Sequence, residues 1–316
     1  MARRTLMAAI DPVAQHPEAA FDVTAGIPEL NELRRFAAST LGSGLKIEDR
    51  SRAFGRKSVT WRIEAADGTG FYLKRHESQH HYASEVRAIR DWVTRLPAGS
   101  WWEAPEIVAS SDEPGAVILT ELPGEIIDGS PPSPDVLKST YVRAGRLARA
   151  FHDIDVDLSG ESRVQRYGTE EHARYVEAAR PHLDPHTFDW VTEVFQRPGL
   201  WDGLTIVPMH GDYSPRNWLQ HEDDAKIGVI DWERSRPGYW VEDIQRMTHD
   251  YWIDTPQLRD AFFEGYGRSP TETEWRQSDQ ITLINAVGGV PWAISHGDEQ
   301  FAQHNRRVIE RLKGIL

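Results

Sequence analysis

The sequence predicts an α+β chain of two lobes: a small N-terminal lobe of antiparallel sheet with one helix, and a larger, mainly helical C-terminal lobe. Three observations predict it. Strand-period runs cluster between Leu45 and Glu121, and helical stripes dominate from Pro134 onward. Within the helical half lies a polar loop, His210-Gly211-Asp212-Tyr213-Ser214-Pro215-Arg216-Asn217, followed by the apolar run Ile227 to Ile230 with Asp231 at its end. The expected division is an extension at residues 1–25, a first lobe at 26–121 and a second at 122–316.

Length and composition bound the function. A chain of 316 residues can build two lobes and a substantial core. The lack of cysteine excludes a disulfide scaffold, a thiolate-bound zinc and a cysteine nucleophile, and fits a cytoplasmic location. Acids outnumber bases 49 to 36, a net charge of −13, which disfavours nucleic acid and anionic membranes as main partners. The same acidity either suits a cationic small molecule or simply serves solubility. No apolar run approaches a membrane-spanning length. The N-terminal apolar stretch breaks at Asp11-Pro12, so no signal peptide is expected.

The first 25 residues contain Pro12 and Pro17 and no sustained period, as in a loosely docked extension. Leu30, Leu33, Phe36 and Ala37 then recur at helical spacing. A strand is expected near Leu45 to Arg50. The loop Phe54-Gly55-Arg56-Lys57-Ser58 follows; its amides from Gly55 to Ser58 could cradle phosphate, or it is a plain solvated turn. Ser58 to Ala65 alternates, with Val59, Trp61 and Ile63 on one face, and Asp67-Gly68 supplies a hairpin turn. Gly70 to Arg75 returns, with Tyr72 and Lys74 on one side.

Taken alone, Lys74 reads as a solvated edge residue. The next segment alters that reading. His80 to Leu96 forms an amphipathic helix through Tyr82, Val86, Ile89, Trp92 and Val93. Glu85 lies one turn from both Tyr82 and Ile89, beside the buried stripe, where a carboxylate needs a cation. Arg87 and Arg90 miss the three- and four-residue spacings, so either Lys74 is its partner or Glu85 is a solvated residue of the helix surface. Pro105 to Ala109 and Ala116 to Glu121 complete a sheet of about five strands.

Beyond Gly124 the chain turns helical. Ser133-Pro134-Asp135 starts a helix whose stripe runs Leu137, Tyr141, Ala144, Ala148, Phe151 and ends at His152. Further helices are expected at Glu170–Ala179, Pro185–Phe195, Pro256–Tyr266, Thr271–Ala286 and Asp298–Leu312, with a bend at Gly288-Gly289 and Pro291 before the last. Trp240, Asp250, Tyr251, Trp252 and Asp254 either line a pocket for a cationic, sugar-like ligand or are ordinary core and surface.

The loop carries the chemistry. An Asp that can take a hydroxyl proton, with an Asn and a second Asp that can hold Mg²⁺ on a nucleotide, is the working set of phosphoryl transfer. The pattern H-x-D-x-x-x-x-N from His210 to Asn217 resembles the catalytic loop of protein kinases. With Gly211 and Ile230-Asp231-Trp232 it is more similar to the aminoglycoside phosphotransferase and choline kinase family. The resemblance covers roughly Leu45 to Met247. It implies a protein-kinase-like fold and transfer from ATP or GTP to a hydroxyl.

The resemblance also implies the roles. Asp212 is then the catalytic carboxylate, with His210 holding the loop, and Asn217 and Asp231 bind Mg²⁺. Lys74, held by Glu85, grips the phosphates, with Gly55 and Ser58 on the covering loop. Tyr72 stacks on the adenine, whose edge meets the backbone near Thr120 and Leu122. Gly238 and Asp243 match a pattern in which the Asp accepts amides of the catalytic loop, a role adjacent Glu242 could take instead.

Ser214 stands where protein kinases carry a lysine, which favours a small-molecule acceptor. Arg216 departs from the usual glycine and either meets phosphate or pairs with an acid. Two further readings stay open: a kinase acting on Ser or Thr of a peptide, and a kinase-shaped module that binds nucleotide without turnover.

Overall fold

The computed structural model describes residues 30–51, 58–97, 99–129, 131–158, 170–197, 203, 205–221 and 226–316. The expected extension at 1–25 lies outside them, as do Gly55, Arg56 and Lys57 of the covering loop. Strands β1 (Lys46–Asp49), β2 (Val59–Glu64), β3 (Gly70–Arg75), β5 (Ile107–Ser111) and β6 (Ala116–Thr120) form one antiparallel sheet in the order β1-β2-β3-β6-β5. Along β2, Val59, Trp61 and Ile63 are buried and the residues between them half-buried, the period-two pattern of the sequence. Helix α1 (Leu30–Leu41) seats Leu33 and Ala37 on that buried face, while Leu30 stays exposed.

On the other face lies α2 (Gln79–Arg87), prolonged by a π-helical turn at Ala88–Trp92 and a 3₁₀ turn at Val93–Arg95. Ser78 caps α2 by accepting the His81 N–H. The core beneath it is continuous from Tyr82 and Trp92 through Phe151 and Trp232 to Phe262. The two halves of the chain therefore share one interior, and edge-on aromatic contacts such as Phe151 against Trp232 (5.0 Å) bind it.

A short strand that sequence period did not reveal, β4 (Trp102–Glu103), leaves the first lobe and pairs parallel with β10 (Ile227–Val229). With β7 (Glu125–Ile126) and β9 (Trp218–Gln220) it makes a second sheet, ordered β4-β10-β9-β7. A third pairing joins β8 (Ile206–Met209) to β11 (Arg236–Tyr239). These two small sheets hold both ends of the His210–Asn217 loop.

The remaining helices are α3 (Pro134–His152), α4 (Glu170–Ala179), α5 (Pro185–Gln196), α6 (Glu242–Arg246), α7 (Pro256–Tyr266), α8 (Glu272–Ser295) and α9 (Glu299–Leu312). A π-helical turn, Met247–Tyr251, extends α6. The expected bend at Gly288-Gly289 and Pro291 is corrected: α8 runs through all three to Ser295. Gly289 is there for packing, because a Cβ would lie 2.7 Å from Asn305 Nδ2 on α9. Pro291 removes one helical bond, and Val287 and Val290, buried in the cluster shared with α4, α5 and α9, keep the helix continuous past it.

Helices α3 and α7 meet through glycine on each side. A Cβ at Gly145 would stand 1.9 Å from Phe262 O, and one at Gly265 would stand 1.8 Å from Val142 O. Helix propensity favours Ala over Gly by about 1 kcal/mol. A clash with backbone oxygen costs more, at the upper end of the roughly 1–3 kcal/mol typical of overpacking. Gly145→Ala should therefore lower the Tm. Gly288→Ala, whose Cβ meets nothing nearer than Tyr175 at 3.8 Å, should leave Tm unchanged or raise it. Thermal denaturation of the two variants checks the opposite signs.

Candidate active site

Strand β3 places Lys74 where three carboxylates converge. Its Nζ lies 2.9 Å from Glu85 Oε1, 2.7 Å from Asp231 Oδ1 and 3.4 Å from Glu233 Oε2. Burial works against the ammonium, but Asp231, Glu85 and Glu233 outweigh it and hold its pKa well above the ordinary lysine value. Glu85 is fully buried on α2. Burial raises its pKa, and Lys74 and His76 more than reverse that, so it remains a carboxylate below its usual range.

His76 is a partner that sequence reasoning missed. Its Nε2 donates to Glu85 Oε2 at 2.5 Å, and Nδ1 faces Gly115 O at 3.3 Å. The signal was present: His76 follows Lys74 by two, the spacing that returns to the same face of a strand. His76, Glu85 and Glu233 bring ligand-type atoms within 4.8 Å of one another. The Lys74 ammonium already supplies positive charge to both carboxylates of that group.

The loop between β8 and β9 is fixed from below. Asp243, at the start of α6, accepts the N–H of His210 at 2.9 Å and of Gly211 at 2.7 Å, and its Oδ2 also pairs with His152 at 3.1 Å. Glu242 does a different job, accepting the Tyr239 N–H at 2.8 Å and pairing with Arg236. Gly211 has φ of 81°, and a Cβ there would meet Arg234 O at 2.3 Å, so no other residue fits.

His210 ties the two carboxylate segments together. Its Nδ1 accepts the Asp212 N–H at 3.2 Å and its Nε2 donates to Ile230 O at 3.1 Å, which sets the tautomer by the partners each nitrogen meets. Asn217 donates from Nδ2 to Asp212 O at 2.9 Å, leaving its amide oxygen for a cation. Asp231 sits at φ 69°, a left-handed conformation unusual for a non-glycine residue and of the kind held in place at ligand sites. Lys74 draws the Asp231 carboxylate far below its normal pKa despite burial. An amide oxygen and a carboxylate that stays ionised are the hard oxygen donors that Mg²⁺ takes, so the residues fit that ion.

Asp212 has two guanidinium neighbours. Arg216 pairs with Oδ2, and Arg246 Nε lies 3.2 Å from Oδ1. Burial raises its pKa, but Arg216, Arg246 and Arg234 together bring it down to about 2. Arg216 thus pairs with an acid; it also feels the charge of Asp231, so it lies between the two aspartates. Arg246 carried no sequence signal, since its tie to Asp212 spans the catalytic loop and α6. Among the described residues, Asp212 Oδ1 has no hydrogen bond although it is buried.

The remaining expected positions are peripheral to this cluster. Tyr72 is half-buried on β3, on the same side as Lys74, and Ser58 sits just ahead of β2. Thr120 ends β6 with its N–H donated to Glu106 O at 3.0 Å, and Leu122 follows in the link to β7. Trp240 and Trp252 belong to the core and Asp254 is exposed; of that group Asp250 lines the cleft beside Asp212.

The chain resembles known proteins. The model of the phosphotransferase enzyme family matches residues 51–279. The chain is 22% identical over 277 residues to the Arabidopsis thaliana protein named "Probable acyl-CoA dehydrogenase IBR3", covering 77% of this chain but 33% of that one, so it spans about a third of that relative. The GDP and kanamycin complex of APH(2")-IIia superposes with a TM-score of 0.68 at 17% identity, over 90% of this chain and 98% of that one. Macrolide 2'-phosphotransferase MphH from Brachybacterium faecium gives 0.60 at 17% identity, over 89% and 97%. At such identities these two likenesses are of fold. The family match spans well over half of the chain and includes Lys74, Glu85, Asp212, Asn217 and Asp231; this protein belongs to the phosphotransferase enzyme family.

Proposed function

We propose that the protein transfers the γ-phosphoryl group of ATP or GTP to a hydroxyl of a small molecule in the cytoplasm, with Mg²⁺ held by Asn217 and Asp231. The observation that carries this reading is the meeting of Lys74 with both Glu85 and Asp231, 2.9 and 2.7 Å away. It brings an ammonium of the first lobe beside a carboxylate of the second, which supports a phosphate grip by Lys74 next to a metal ligand at Asp231. Among the described residues no helix is long and apolar enough to cross a membrane.

In this reading Mg²⁺ neutralises charge on the phosphate oxygens. Lys74 turns from Asp231 to the phosphates while Glu85, anchored by His76, keeps its grip on the lysine. Tyr72 stacks on the base, and the chain near Thr120 and Leu122 meets its edge. Ser58, just ahead of β2, lies toward the phosphates.

Asp212 orients the acceptor. As the acceptor oxygen bonds to the γ-phosphorus, the bond from that phosphorus to the β–γ bridging oxygen breaks, and the hydroxyl proton passes to Asp212. The products are a phosphate monoester and a nucleoside diphosphate. A carboxylate with a pKa of about 2 is a weak base, so its work is positioning, with proton transfer late.

Asp212→Asn should cut kcat by roughly 10²–10⁴-fold, the range for removal of a proton acceptor, with nucleotide affinity close to wild type. Turnover at the wild-type rate would remove Asp212 from the mechanism. Asp231→Ala should abolish the Mg²⁺-dependent part of nucleotide affinity. Calorimetric titration with and without Mg²⁺ checks this; equal metal dependence in variant and wild type would exclude Asp231 as the ligand.

A further inference from the structure

Beside Asp212, a cleft opens to solvent between α6 with its π-helical turn, α8 and α9. The carboxylates on its wall already have partners inside the protein. Asp212 pairs with Arg216 and Arg246, Glu242 with Arg236, and Asp250 with His304 at 3.3 Å. Asp243 is taken by two backbone amides and His152. A polyammonium ligand would have to displace an arginine from Asp212 or Glu242, and a buried cation left behind is costly, while Asp243 and Asp250 are already met by histidines.

Arg246 is in the opposite position. It faces the cleft beside Gln245 and Asn285. Its ion-pair partner is Asp212 Oδ1 at 3.2 Å, an oxygen it does not hydrogen-bond well. Burial and the neighbouring Arg216 push its pKa below the usual arginine value, against the pull of Asp212 and Asp250. Gln245 accepts from Asn285 through Oε1 at 2.7 Å, which leaves its amide N–H donors for a ligand. One guanidinium and one amide donor together make a seat for an oxyanion.

Resting on the phosphotransfer reading above, we propose that the acceptor is a hydroxylated oxyanion, a carboxylate or phosphate monoester bearing a free alcohol. Its anionic group seats on Arg246 and Gln245, and its hydroxyl donates to Asp212 Oδ1. Recognition then assists chemistry. The anionic group holds the acceptor with its hydroxyl against Asp212, which supplies orientation. The net charge of −13 is a property of the whole chain and does not describe this cleft.

The test uses the full chain saturated with a non-hydrolysable Mg·ATP analogue, so that the γ-phosphate position is filled as well. Calorimetry then titrates acetate, inorganic phosphate and kanamycin at matched ionic strength. Acetate or phosphate should bind, and which of them binds better identifies the carboxylate or the phosphate source. Arg246→Met should weaken that anion about tenfold, the loss of one charge-assisted contact. Arg246→Lys should recover part of it, and Gln245→Leu, which removes no charge, should weaken it less; these two carry the test should Arg246→Met fail to fold.

Kanamycin binding tighter than both anions, absence of anion binding, or anion affinity equal in wild type and the Arg246 variants would each overturn the proposal. Failure of the wild-type protein to bind the Mg·ATP analogue is a separate outcome. It would overturn the phosphotransferase reading itself, and the acceptor assignment with it.

Discussion

The Lys74 ammonium is the charge around which the two lobes are organised. Without it, Glu85, Asp231 and Glu233 would bring three carboxylates into one buried space, 2.7 to 3.4 Å from a vacant centre. Like charges at that range in a protein interior are prohibitive, so protonation or separation would follow. The cost of burying the lysine is met by the same carboxylates. Glu85 is the fixed member, since its second oxygen is held by His76 at 2.5 Å. Asp231 is the more open partner, with 35% of its side chain exposed, and in the proposed reading it is the one that exchanges Lys74 for Mg²⁺.

A second constraint keeps the catalytic loop in register with that cluster. Asp243 organises the loop through backbone amides, which makes it insensitive to the side chains above it. His210 then connects the Asp212 amide to the Ile230 carbonyl, one residue before Asp231. Any shift of the loop relative to β10 would break this neutral, directional bridge. Packing reinforces it: the His210 ring lies 4.6 Å from the Trp232 ring and 5.7 Å from that of Tyr213. The aspartates are thus spaced by backbone groups, and their mutual repulsion has little freedom to act.

Much of this was legible in the sequence where a local period or spacing encodes it. The alternation of Val59, Trp61 and Ile63 and the stripe from Tyr141 to Phe151 are written in single segments, and the five-strand sheet followed from them. Glu85 was found because a carboxylate beside an apolar stripe needs a counter-ion. What stayed hidden was non-local. Arg246 reaches Asp212 across 34 positions of chain, and no period links them. Strand β4 is two residues long and pairs with a segment more than a hundred positions away. At Gly288-Gly289 and Pro291 the local rule pointed the wrong way, because close packing on α9 overrode a weak helix propensity. His76 lay between these cases: strand alternation placed it, but nothing local announced its partner.

The pairing of charges around Asp212 bears on how such a site avoids wasteful hydrolysis. With arginines on both oxygens, Asp212 is a poor base for water. In the proposed reading, an acceptor whose anionic group occupies the Arg246 guanidinium is held in place, and water is not. Binding energy from a part of the acceptor remote from the reacting hydroxyl is thereby expressed at the carboxylate, which is how remote contacts raise turnover rather than affinity alone. The arginines flanking Asp212 are therefore consistent with catalysis that depends on which molecule fills the cleft.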